Sequence, residues 1–291
     1  MNLHQNYTHL HLHGGIFRVV LVAFILTTIL TGCSPASPET FYRAARQMGL
    51  ERHVIQAGTF PLVIYTRGLT RKTPHLHLYL GGDGLPWKSV MTPSDDPSPH
   101  DPLVLNLMQQ DKNPSLFLGR PCYQGFAKQT PCHHRYWTSA RYSPEVINTL
   151  SLAIKKIIRT YHVRKLTLIG YSGGGTLAVL LAPHIPEITT VITIAANLDT
   201  DAWTKHHGYS PLSESLNPAL QPALANHIRQ LHLQGDRDIT VPPDLSARFF
   251  RNQTQACRLR FATANHTCCW RKKWPEILNL AYKTPCKQQG K

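Results

Sequence analysis

The chain has 291 residues, 42% of them hydrophobic, with 31 Lys and Arg against 16 Asp and Glu, a formal net charge of +15 with His neutral. That apolar share excludes a disordered chain, and the length suits one large domain or two small ones. The basic residues are scattered and carry no zinc-finger, aromatic RNA-binding or basic-helix pattern. Nucleic acid is therefore not an expected partner, and the charge reads as a surface facing anionic lipid or polysaccharide.

The first 32 residues read as a targeting segment. Arg18 precedes an apolar run from Val19 to Leu30, which is short for a membrane-spanning helix and ends in Leu30-Thr31-Gly32-Cys33. That tetrad resembles the lipobox of bacterial lipoproteins, where cleavage precedes the cysteine and lipid is attached to it. The resemblance implies a signal peptide over 1–32, lipidation at Cys33 and a tether over 33–40. Ser34, where such proteins carry Asp for inner-membrane retention, implies the periplasmic side of the outer membrane. An anchor helix that stays attached is the alternative.

Residues 41–291 then form the domain. Helical spacing predicts helices over 41–50, 144–161, 176–181, 245–251 and 270–282. Strand patterns fall at 53–56, 62–66, 76–80, 115–118, 165–169, 188–195, 228–234 and 258–261. Strands alternating with helices predict a mainly parallel sheet covered on both faces. The stretches 86–143 and 196–227 exceed plain connections and read as insertions carrying binding surface.

Of the seven cysteines, six remain once Cys33 is set aside, an even number suited to disulfides in an oxidising compartment. Cys122 and Cys132, around a Pro- and Gly-containing loop, are the expected pair. Cys257, Cys268, Cys269 and Cys286 allow three connectivities. Metal binding at Cys268-Cys269 beside His266 lacks a matching Cys-x-x-Cys, and no metal site is expected.

Chemistry is concentrated in Leu166-Thr167-Leu168-Ile169-Gly170-Tyr171-Ser172-Gly173-Gly174-Gly175, an apolar strand, then G-x-S-x-G, then a small-residue helix start. A serine hydroxyl needs a base to become a nucleophile, and a sharp strand-to-helix turn exposes its oxygen. Gly170 and Gly174 leave room for that turn, and the Gly173 amide can donate to an oxyanion. A phosphate loop would want a Lys at the helix start, and none is there. The segment resembles the α/β-hydrolase superfamily.

The resemblance implies an α/β-hydrolase fold and a triad in the order Ser, acid, His. Gly235-Asp236-Arg237-Asp238-Ile239-Thr240-Val241-Pro242 is similar to the superfamily's acid motif and assigns the acid to Asp238, with Asp236 as the alternative and Asp199 as a third candidate. His266, between the last strand and the last helix, is the implied base among 17 histidines. The others named here, His75, His77, His133, His134, His206 and His207, read as surface residues. The turn Gly81-Gly82-Asp83-Gly84 takes the place of the HGGG-type loop, making the Gly82 and Asp83 amides the second oxyanion donor. The Asp83 carboxylate would repel an oxyanion, so its side chain is expected to turn away and brace the loop.

Gly82-Asp83-Gly84 with Trp87, Asp95-Asp96-Pro97, Arg120-Pro121-Cys122, the segment 137–141 and Asn197-Leu198-Asp199 are together similar to a largely uncharacterised group of bacterial hydrolase-like lipoproteins. Arg120, Tyr123, Trp137, Arg141 and Trp203 either line the pocket or pack the loops through aromatic and Arg–Asp contacts. The reading is a membrane-tethered serine hydrolase acting on a small or lipid-like ester or thioester, with no metal or organic cofactor needed. A binding or assembly lipoprotein without turnover, and a serine acyltransferase, are the rivals.

Overall fold

The structure, a computed structural model, describes residues 38–253 and 255–283. The expected signal peptide, lipidation at Cys33 and the pairing of Cys286 lie outside them. Helix α1 (Pro38–Gln47) leads into an antiparallel hairpin of β1 (Glu51–Ala57) and β2 (Phe60–Arg67). Strand β3 (His75–Leu80) runs to the 81–84 turn, after which β4 (Trp87–Ser89) and β5 (Thr92–Pro93) form a small separate hairpin. Helix α2 (Leu103–Gln110) and strand β6 (Ser115–Leu118) follow. Next come α3 (Pro144–Tyr161), β7 (Lys165–Tyr171), α4 (Gly173–Leu181) and β8 (Ile188–Ile194). The chain continues through α5 (Thr200–His207), β9 (Arg229–Gly235), α6 (Ala247–Asn252), β10 (Ala256–Phe261) and α7 (Trp270–Lys283).

The main sheet has eight strands in the order β1-β2-β6-β3-β7-β8-β9-β10. The β1–β2 and β2–β6 pairs are antiparallel and every later pair is parallel. Alternation along the strands sends side chains to two cores. Leu76, Leu78 and Leu80 of β3 join Ile147, Leu150 and Leu177 from α3 and α4. Tyr79, Phe117, Ile192 and Leu231 point the other way, onto Phe41 of α1, Met108 of α2 and Trp274 of α7. Each such fully buried side chain is worth about 1.5–3 kcal/mol against leaving it in water. Helix α3 is well marked at both ends: Ser143 accepts the Val146 amide, Pro144 opens the helix, and His162 closes it in the left-handed region at φ 51°.

Several expectations change. Residues 38–40 of the expected tether are helical, because α1 opens at Pro38 with Glu39 in its first turn. The stretch 86–143 holds the β4–β5 hairpin and α2 as well as β6, and 196–227 holds α5. His77 is no surface residue. It is fully buried, with Nδ1 bonded to Asp111 Oδ2 at 2.5 Å and Nε2 bonded to Tyr282 Oη at 2.6 Å. A polar strand side chain is tolerated there because both ring nitrogens find partners. Disulfides join Cys122 to Cys132, with Cα atoms 5.4 Å apart, and Cys268 to Cys269. Cys257 is also disulfide-bonded.

Candidate active site

Strand β7 ends at Tyr171, and Ser172 turns the chain into α4 with φ 51° and ψ −124°. A non-glycine residue in that region is strained and survives only where its surroundings fix it. Here the Ser172 amide donates to Ile194 O at 2.8 Å and the Ser172 carbonyl accepts the Gly175 amide at 2.9 Å. A Cβ at Gly170 would lie 2.2 Å from Gly174 O, and one at Gly174 would lie 2.2 Å from Leu80 O. Both contacts are with backbone, so a side chain at either position would open the turn.

The loops after β9 and β10 bring two further groups to Ser172. Ser172 Oγ donates to His266 Nε2 at 3.1 Å, and His266 Nδ1 donates to Asp238 Oδ2 at 2.8 Å. The two bonds fix the imidazole tautomer with its proton on Nδ1. Asp238 is buried, and its Oδ1 accepts the amides of Thr240 at 2.9 Å and Val241 at 2.8 Å. The carboxylate thus binds its own loop with one oxygen and the imidazole with the other. Thr240 is held from outside as well, its carbonyl accepting Trp203 Nε1 at 2.8 Å and bonding His207 Nε2 at 2.9 Å. Around His266, Trp270 Nε1 donates to His266 O at 3.0 Å, and the Tyr171 ring lies 5.3 Å from the imidazole. The other acid candidates are engaged elsewhere. Asp236 pairs with Arg260 at 2.6 Å on the surface, while Asp199 caps α5 and accepts Asn217 Nδ2 at 2.9 Å.

Gly82 lies against Ser172, since a Cβ there would be 3.2 Å from Ser172 Cβ. Among the described residues, no backbone carbonyl accepts the amides of Gly82, Asp83 or Gly173. The Asp83 side chain turns into the loops behind, where it is bonded by Arg120, by Arg141 Nη1 at 3.0 Å and by Tyr142 Oη at 2.5 Å. Burial pushes this carboxyl up, but the two guanidinium charges and the tyrosine hydroxyl outweigh it and bring it from 3.8 to about 2. Asp83 is therefore an anion at neutral pH. Burial, followed by that anion, raises the Tyr142 hydroxyl well above its ordinary range, which keeps it a donor.

The pocket-lining alternative fails for Arg120, Tyr123, Trp137 and Arg141, all of which are buried. They form the packed scaffold instead: Arg120 also donates to Arg141 O at 2.7 Å, and Tyr123 Oη donates to Asp83 O at 3.1 Å. Sequence reasoning missed Tyr142, Tyr171 and the Thr240 clamp, whose contacts with Asp83, His266 and Trp203 join distant parts of the chain and leave no local signal. Among the described residues, no three His, Cys, Asp or Glu side chains converge as a metal site.

No protein-family model and no curated relative matches the sequence. Solved structures do. A hydrolase-type protein of Agrobacterium vitis S4 aligns with a TM-score of 0.56 at 12% identity, over 80% of this chain and 99% of its own. An esterase of Pyrococcus furiosus aligns at 0.54 and 12%, over 83% and 94%. A bacterial membrane phospholipase A, described as a virulence factor, aligns at 0.52 and 15%, over 92% and 100%. Identities this low speak for the fold alone. The parallel strand order, the Ser172 turn and these alignments together show that the chain has the α/β-hydrolase fold.

Proposed function

We propose that the protein is a serine hydrolase of carboxylic ester or thioester bonds. The observation that carries this reading is the continuous chain from Ser172 Oγ to His266 Nε2, at 3.1 Å, and from His266 Nδ1 to Asp238 Oδ2, at 2.8 Å. Ser172 Oγ attacks the acyl carbonyl carbon while His266 Nε2 takes the hydroxyl proton, and Asp238 steadies the imidazolium. The carbonyl oxygen becomes an oxyanion facing the amides of Gly173 and of Gly82 or Asp83. Collapse of the intermediate breaks the ester bond, and His266 returns its proton to the leaving alcohol or thiol. Water, deprotonated by His266, then cleaves the acyl-enzyme and regenerates Ser172.

Esters rank ahead of peptides through the likeness to an esterase and a phospholipase, which concerns the fold alone. The lipobox-like segment ending at Cys33 supports attachment to the periplasmic side of a bacterial outer membrane. Turnover of a panel of acyl esters and thioesters tests the reading. Ser172→Ala abolishes it, Asp238→Asn lowers it by about 1,000-fold or more, and Asp236→Asn leaves it within about threefold. Equal loss in the two aspartate variants would remove Asp238 from its role. A folded protein inactive on every substrate would favour a binding or assembly lipoprotein.

A further inference from the structure

Three large apolar side chains stand out among the described residues for their exposure: Val90 at 94%, Met91 at 85% and Ile239 at 84%. No other large hydrophobic there exceeds 55%. All three come from loops that follow the C-terminal ends of parallel strands, the edge at which Ser172 sits. Val90 and Met91 form the tip of the β4–β5 hairpin, which begins after the 81–84 turn, and Ile239 is next to Asp238.

The hairpin is anchored to the oxyanion loop. The Leu85 amide donates to Pro97 O at 2.9 Å, the Ser94 amide donates to Pro86 O at 3.0 Å, and Ser94 Oγ bonds Leu85 O. A Cβ at Gly84 would lie 1.9 Å from Pro97 O, so the backbones are in close contact at the root. The tip itself has no such support. A well-anchored stem with an uncovered aliphatic tip is a surface that loses free energy by leaving water.

We infer that this catalytic edge docks on an anionic lipid bilayer, with Val90, Met91 and Ile239 entering the acyl layer and Trp87 at the headgroup level. The tip is a convex protrusion, which suits a deformable lipid surface. Trp87, about half-exposed, has the apolar body and polar N–H that favour the interface. Lys88 pairs with Asp95, so the hairpin brings a matched pair of charges to the surface, while the chain as a whole carries +15. Attraction between that net charge and acidic headgroups names the lipid class. The inference deepens the hydrolase reading by making the substrate an ester packed in a lipid surface, but docking does not depend on turnover.

The test uses the full chain in phosphatidylcholine vesicles with and without phosphatidylglycerol, each doped with a phospholipid bearing a photoreactive group in its acyl chain. Adducts are mapped by mass spectrometry. The expected adducts fall on residues 85–91 and on Ile239, in addition to any in the N-terminal segment, and are several-fold more abundant with phosphatidylglycerol. Val90→Asp combined with Met91→Asp removes the adducts at both places by at least fivefold. Leu152→Asp, on the exposed face of α3, leaves them unchanged, and so does Ser172→Ala. Adducts confined to the N-terminal segment, or spread evenly over exposed apolar residues such as Val54 and Leu152, would overturn the inference. Docking with no ester turnover would sink the hydrolase reading alone, and turnover with no hairpin adducts would sink the docking alone.

Discussion

The Asp83 carboxylate occupies the space that a side chain at Gly173 would need: an ideal Cβ on Gly173 would lie 2.0 Å from Asp83 Oδ1 and 2.6 Å from Tyr142 Oη. Position 173 thus has room only for a glycine while the 81–84 loop keeps the Asp83 carboxylate there. Gly173→Ala has to displace either that carboxylate or the loop. Removing one oxyanion donor typically costs about 100- to 1,000-fold in turnover. We expect a loss of at least about 100-fold in kcat for Gly173→Ala, read by steady-state kinetics. Activity near wild type would show that the loop is not fixed by this packing.

Asp83→Asn keeps the shape and removes the charge, leaving Arg120 and Arg141 buried without their anion. Breaking a buried pair in this way costs about 3–5 kcal/mol, measurable by urea unfolding at pH 7. The pH dependence has a definite sign. The Asp83 carboxyl titrates at about 2 in the folded protein against 3.8 ordinarily, so its ion pairing stabilises fully above 3.8 and is lost as pH falls through about 2. That shift corresponds to roughly 2 kcal/mol. The gap between wild type and Asp83→Asn should therefore be constant from pH 7 to 5 and narrow below 4. A gap that widens on acidification would contradict the assignment.

The Cys122–Cys132 disulfide closes a loop with a sequence separation of 10. On the chain-entropy account such a loop is worth about 3 kcal/mol at 25 °C. Replacing both cysteines by Ser should lower stability by about that amount in denaturant titration. Tyr123, next to Cys122, donates to Asp83 O, so turnover should fall as well. A stability change under about 1 kcal/mol would mean that the surrounding packing holds the loop unaided.

Trp203→Phe keeps a ring on α5 but removes the donor to Thr240 O. The lost hydrogen bond should cost about 1 kcal/mol. Because Thr240 also donates its amide to Asp238, kcat should drop several-fold with KM nearly unchanged. An unchanged kcat would place Trp203 outside the support of the acid loop.

The parts of this molecule that were legible in the sequence are those with a local cause. The buried strands announce themselves as apolar runs, and α3 carries Ser143, Pro144 and a clear helical period. The Ser172 turn is legible because its glycines and its flanking strand and helix are contiguous. Helix α2 was not legible although Asn106, Gln109 and Gln110 keep a polar side opposite its buried residues, because eight residues give too short a window to separate a helical period from an apolar run. Helix α5 was missed although Asp199 caps its start and Gly208 ends it, because its own residues are mostly polar. The role of Arg120 and Arg141 depends on a partner 37 and 58 residues away, and no spacing rule reaches that far. Their buried pairing with Asp83 resolved the choice between pocket and scaffold.

The most direct measurement is labelling of the full chain with a fluorophosphonate, followed by peptide mass spectrometry. The account predicts one phosphonylated residue, Ser172, with no adduct in Ser172→Ala, a rate reduced at least about 100-fold in Asp238→Asn, and a rate close to wild type in Asp236→Asn. A folded protein that takes no label at Ser172, or that labels equally fast without the Asp238 carboxylate, would contradict the claim that Ser172, His266 and Asp238 act as one unit.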